Sequence, residues 1–181
     1  MIRNARALKR WIPTTVGAAT LALLLTGCGS SPSGGPETSQ HASTSTSATQ
    51  EPAGPYYQVR TGTVGGLGKV LIDGQNMTLY LFVPDNRSGK STCYGTCAQA
   101  WPPLLLPAGT KEPIEAAGID SSLLGTTRRN NGTTQITYNK WPLYLWVGDT
   151  QPGEATGQGI NNQGGLWYVL APDGAEITAH A

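Results

Sequence analysis

The sequence predicts an all-β domain, a small sandwich or barrel built from two divergent β repeats, with one short helix near a cysteine pair. Three observations lead there. Between residues 56 and 181 the apolar residues fall in short runs of β-branched and aromatic type, separated by Gly, Asn, Asp and Pro, as in short strands joined by turns. Those 126 residues are one ordinary domain, long enough for a single core. Within them Tyr80-Leu81-Phe82-Val83-Pro84-Asp85 and Tyr144-Leu145-Trp146-Val147-Gly148-Asp149 match as Tyr-x-aromatic-x-x-Asp, 64 positions apart at every matched residue.

The chain before the domain reads as an export and anchoring segment. Arg3, Arg6, Lys9 and Arg10 precede a mostly apolar run from Trp11 to Leu25, the order of a secretory signal. Pro13, Thr14, Thr15 and Thr20 interrupt that run, leaving it short of the roughly 20 apolar residues of a membrane span. Leu25-Thr26-Gly27-Cys28 resembles a bacterial lipobox, which implies cleavage of residues 1–27 and acylation of Cys28. Two or more acyl chains anchor stably where one binds reversibly. Residues 29–55 are Ser, Thr, Pro, Gly and Gln with few large apolar side chains, a tether with a reach of about 29 Å. The expected location is the extracytoplasmic side of a cell membrane, held by lipid.

Cleavage also decides the charge. Of twelve basic residues four leave with the signal, so eight remain against eleven acidic ones, a net charge of −3. That sign argues against a nucleic-acid partner and leaves no polybasic patch for anionic lipid. The lipid would do the membrane work, and the remaining partners to expect are an envelope protein or a glycan.

Within the domain, Tyr57 to Val64 alternates as a strand. Lys69–Asp73 and Met77–Val83 flank Asp73-Gly74-Gln75-Asn76, which reads as a hairpin turn. Further strands are expected at Leu123–Arg128, Thr134–Tyr138, Leu143–Val147 and Leu166–Ala171, with turns at Asn130-Asn131-Gly132 and Pro172-Asp173-Gly174. Ser91 to Trp101 is the best helix candidate, stopped by Pro102-Pro103. Cys93 and Cys97 would lie about one turn apart there, and outside the cytoplasm the simplest outcome is a disulfide. The repeats, about 69–105 and 134–171, suggest two β units closed by a pseudo-two-fold.

At these residues the chain resembles a secreted-repeat family of predicted bacterial lipoproteins with a Tyr-x-(Phe/Trp/Tyr)-x-x-Asp motif. The resemblance takes in Thr78-Leu79-Tyr80, Cys93 to Ala98 leading to Trp101-Pro102-Pro103-Leu104, and Gly157-Gln158-Gly159 leading to Gly164-Gly165-Leu166-Trp167-Tyr168. That family's function is unknown, so the resemblance implies a shape and an address without a reaction.

Candidate site residues are Tyr80, Phe82 and Asp85 in one copy and Tyr144, Trp146 and Asp149 in the other. They either form a buried framework, with each Asp fixing a turn, or a paired site for a cation or amine. Catalytic signatures are missing: His41 lies in the tether and His180 is penultimate, so the domain core has no histidine for a Ser-His-Asp or Cys-His nucleophile. Two sulfurs are half a zinc site, and Cys-x3-Cys is not the Cys-x-x-Cys redox spacing. No catalytic residue, metal or cofactor is therefore expected. The leading expectation is a non-catalytic envelope binding or structural module. The competing ones are a redox or metal-handling accessory built on Cys93/Cys97 or the Tyr and Asp pairs, and a carboxylate-pair hydrolase using residues such as Asp85, Asp149, Asp120 or Glu154. Trp101, Trp141, Trp146 and Trp167 are expected to fill the core, or to stack on sugar if exposed.

Overall fold

The computed structural model describes residues 54–179, all within one compact unit. The signal, Cys28, His41, His180 and nearly all of the tether lie outside the described residues.

The domain opens with a hairpin. Strands β1 (Gln58–Val64) and β2 (Gly68–Asp73) pair antiparallel from Val64↔Gly68 to Val59↔Asp73, joined by a 3-10 turn at Gly65–Leu67. Gly65 and Gly68 take φ of 40° and 75°, which a side chain would resist, so glycine permits this tight reversal. After β2 the Asp73 carboxylate accepts the Gln75 and Met77 N–H groups at 2.8 Å each, fixing the expected turn. The next segment then leaves its neighbour: strand β3 (Tyr80–Phe82) pairs antiparallel with strand β9 (Gly165–Leu170). The regular strand is thus shorter than the Met77–Val83 run, because Val83–Asp85 curls into a 3-10 turn with Pro84 inside it.

The second half repeats the plan. Strands β5 (Leu124–Arg128) and β6 (Thr134–Tyr138) form a hairpin, and β7 (Trp141–Pro142) adds to β6. Three open sheets result: β2-β1-β4, where β4 is Ile114–Glu115; β10-β9-β3, where β10 is Glu176–Ile177 and β8 (Asn161–Asn162) also pairs β9; and β5-β6-β7. The fold is mostly β, with two repeats and one short helix beside the cysteine pair, and no barrel closes among the described residues.

Two expected elements differ. The helix α1 covers only Thr96–Ala100, not Ser91 to Trp101. Ser91 and Thr92 spend their side chains on Tyr144 and Asp85, and Gly95 turns the chain at φ 58°, so residues 91–95 cannot be helical. Leu143–Val147 is not a regular strand. Its one bridging residue, Tyr144, faces Tyr80 on one side and Pro103 on the other, and Pro103 has no N–H to continue a ladder.

That bridge discloses the plan of the molecule. Tyr80 and Tyr144 exchange backbone hydrogen bonds at 2.9 and 3.0 Å, so the two motifs lie side by side and antiparallel. Each motif then pairs outward with the other copy's tryptophan segment. Phe82 faces Trp167 across β3 and β9, while Leu145 N–H donates to Pro102 O at 2.8 Å and Val147 N–H to Ala100 O at 3.2 Å. The copies are therefore interlocked.

The core lies on both sides of this central layer. Tyr80 and Phe82 point into an aromatic cluster with Trp101, Tyr144, Trp167 and the Cys93–Cys97 pair. Leu79 and Leu81, on the opposite side of the alternating strand, join an aliphatic cluster with Leu71, Leu104, Ile136 and Leu143. Burial on both faces explains why β3 is apolar without interruption.

Candidate functional site

Each residue of the repeated motif has a defined place. Tyr80 donates its hydroxyl to Asp149 Oδ2 at 2.6 Å, and Tyr144 donates to Asp85 Oδ2 at 2.6 Å. Each motif Tyr thus reaches the other copy's Asp. The remaining carboxylate oxygens are used just as symmetrically: Asp85 Oδ1 accepts the Thr92 N–H and hydroxyl, both at 2.7 Å, and Asp149 Oδ1 accepts those of Thr156 at 2.8 and 2.7 Å. Asp85 and Asp149 are buried. Each holds three donors, which is how a carboxylate out of water stays satisfied.

Burial pushes the Asp85 carboxyl above its ordinary value, opposed by the hydrogen bonds from Tyr144 and Thr92. It pushes the Tyr80 and Tyr144 hydroxyls up strongly too, and the neighbouring carboxylates add to the effect because a phenolate beside an aspartate is repelled. Both tyrosines are held as neutral donors.

Thr92 and Thr156 escaped sequence reasoning, although a signal existed: each stands seven residues after its Asp, again 64 positions apart. Arg129 escaped with no signal at all, since an Arg beside an Asn-Asn-Gly turn reads as solvated. It is buried, donating to Cys93 O at 2.6 Å, to Ser91 Oγ at 2.8 Å and to Gln135 Oε1, with its guanidinium 4.5 Å from the Tyr94 ring centre. This clamp has no counterpart in the second copy. There Glu154 gathers the N–H groups of Thr150 and Gln151 at 2.6 and 3.2 Å, and its backbone carbonyl accepts the Thr78 hydroxyl.

Cys93 and Cys97 are disulfide-bonded, with Cα atoms 5.2 Å apart, and Cys93 is fully buried. A five-residue loop of this kind contributes about 2 kcal/mol on the chain-entropy model.

The large rings form one stack. Phe82, Trp167, Trp101 and Trp146 follow in order with ring centres 4.1, 3.9 and 4.2 Å apart, and Tyr80 and Tyr144 meet Trp101 and Trp167 edge-on at 5.4 and 5.2 Å. Trp101 and Trp167 are inaccessible, while Trp146 at one end is partly exposed. Gly157 is required here: a Cβ would lie 2.8 Å from Trp101 and 3.0 Å from Tyr80. Trp141 is buried apart from the stack, in the aliphatic cluster.

Among the described residues no three His, Cys, Asp or Glu side chains are placed to hold a metal ion, and no helix is long and apolar enough to cross a membrane. A surface cleft of about 410 Å³ is lined by Arg87, Asn139, Trp141, Asp173 and Glu176 and includes none of the motif tyrosines or aspartates.

What this arrangement defines is a domain of two interlocked β repeats. The chain belongs to the family described as a secreted repeat of unknown function, whose model matches residues 63–105 and 125–171. Neither the curated proteins nor the solved structures contain a match to the chain.

Proposed function

We propose that this protein is a lipid-anchored module on the extracytoplasmic side of the cell envelope, binding or structural in role and without catalytic turnover. One observation carries the non-catalytic part. The two Tyr-x-aromatic-x-x-Asp motifs satisfy each other, so each Asp has three internal donors and no free oxygen aimed at a ligand. Those carboxylates are tied into the framework and present no oxygen to an external substrate or cation. The anchor rests on the signal-like start and on Cys28 within Leu25-Thr26-Gly27-Cys28, and the negative mature charge supports lipid over electrostatics as the means of retention.

The test has two arms. Cys28→Ala is expected to release the domain from membranes or to leave an uncleaved precursor, and full membrane retention of a cleaved form would overturn the anchor. For the module itself, hydrolase and oxidoreductase panels on purified protein are expected to be silent. A turnover that survives purification and disappears in a folded Asp149→Asn protein would replace this reading with an enzyme.

A further inference from the structure

We infer that the aromatic stack is a one-electron relay, carrying oxidation from Trp146 at the surface to the buried Tyr80–Asp149 and Tyr144–Asp85 pairs. The substrate class is a radical oxidant, such as a peroxyl radical, arriving at the envelope surface.

Three observations outside ordinary core packing support it. The rings of Trp146, Trp101 and Trp167 stand 4.2 and 3.9 Å apart, the second pair with parallel planes, a separation at which an electron vacancy passes readily between indoles. Only the Trp146 end is partly exposed, so it is where an external oxidant makes contact. The buried Trp101 Nε1–H has no hydrogen-bond partner, so an oxidised Trp101 has no base to take its proton and remains a cation radical able to oxidise a neighbour. The neighbour is equipped to be oxidised. Tyr80 lies edge-on to Trp101 at 5.4 Å with its hydroxyl proton 2.6 Å, heavy atom to heavy atom, from a carboxylate; Tyr144 stands likewise to Trp167 and Asp85.

The steps balance. The oxidant takes one electron from Trp146 and leaves as its anion, and the vacancy moves to Trp101 when Trp101 gives an electron to Trp146. Tyr80 then gives one electron to Trp101 and its proton to Asp149, leaving a neutral tyrosyl radical and a neutral carboxylic acid. On the other branch Trp167 passes the vacancy to Tyr144, with Asp85 taking the proton. The relay is stoichiometric and stands independently of the non-catalytic reading.

Pulse radiolysis of the full chain in detergent, with azide radical as the indole-selective oxidant, tests it. The indolyl band is expected to decay as the tyrosyl band rises, in a first-order step independent of protein concentration and slower in D2O. Tyr80→Phe/Tyr144→Phe should abolish that tyrosyl signal, and Asp85→Asn/Asp149→Asn should slow its rise about a hundredfold, the usual worth of a positioned base. Indolyl radicals that decay only bimolecularly, a conversion unaffected by D2O, or an unchanged tyrosyl yield in a folded Tyr→Phe protein would each overturn the relay. The D2O comparison needs no variant, so the test survives if the substituted chains do not fold.

Discussion

Thr92 and Thr156 each give two hydrogen bonds to one carboxylate oxygen, and each belongs to a loop whose far end is a motif Asp. Replacing either hydroxyl by a methyl keeps the shape and removes one donor from a buried charge. Thr156→Val is expected to cost about 2 kcal/mol. Thr92→Val is expected to cost less, because Arg129 and the disulfide still hold its loop; urea unfolding of the two variants checks the order. The tyrosines give a second prediction. Their folded hydroxyls titrate well above the ordinary tyrosine value of 10.0, so above that value the unfolded chain releases protons that the folded one keeps. Stability therefore falls as pH rises past about 10, by about 1.4 kcal/mol per pH unit for each of the two tyrosines. Denaturant titrations should show this slope and its loss in Tyr80→Phe/Tyr144→Phe. Of this chemistry the sequence showed the Tyr and Asp positions, because their spacing repeats. It did not show which Tyr meets which Asp, since a repeat leaves pairing within and between copies equally open. Arg129 was illegible because its burial is set by the second hairpin returning over the disulfide loop.

The two hairpins, β1–β2 and β5–β6, are local structures, but the sequence shows only their strands and turns: the hairpin expected between Lys69–Asp73 and Met77–Val83 reduces to the bridge Ile72↔Thr78, and β2 pairs with β1 instead. The central strands are not local. Tyr80–Phe82 pairs with Trp167–Val169, and Leu145 and Val147 bond back to Pro102 and Ala100. Nothing in a short window encodes those partners, which is why the strand expected at Leu143–Val147 reduces to a single bridging residue and the helix to five residues. The crossing has an energetic consequence: one copy alone exposes Tyr80, Phe82 and Trp101 without the rings and carboxylate that cover them. Residues 54–107 and 108–179, produced separately, are expected to be unfolded by near-ultraviolet circular dichroism and to regain the native spectrum when mixed. The cut falls at Ala108, which is exposed, and breaks none of the crossed pairs. A folded, monomeric 54–107 fragment would contradict the interlocked plan.

Across the whole domain the copies share an architecture and differ in how their loops are locked. A disulfide and a buried arginine secure the loop from Asp85 to Thr92, while Glu154 secures the loop from Asp149 to Thr156. The all-β class, the pair of repeats and the cysteine partnership were legible because each leaves a pattern along the chain. The open three-sheet arrangement was not, because it depends on prolines at 102 and 103 stopping a ladder that only the folded chain brings together. The reciprocal bonds between motifs also bear on descent. Two identical subunits exchanging a tyrosine for an aspartate across a two-fold axis, once joined end to end in one gene, would leave this geometry, with each loop then free to acquire its own fastening. Inheritance would couple Tyr80 to Asp149 and Tyr144 to Asp85, residues of different copies, more tightly than it couples any Tyr to the Asp five positions after it.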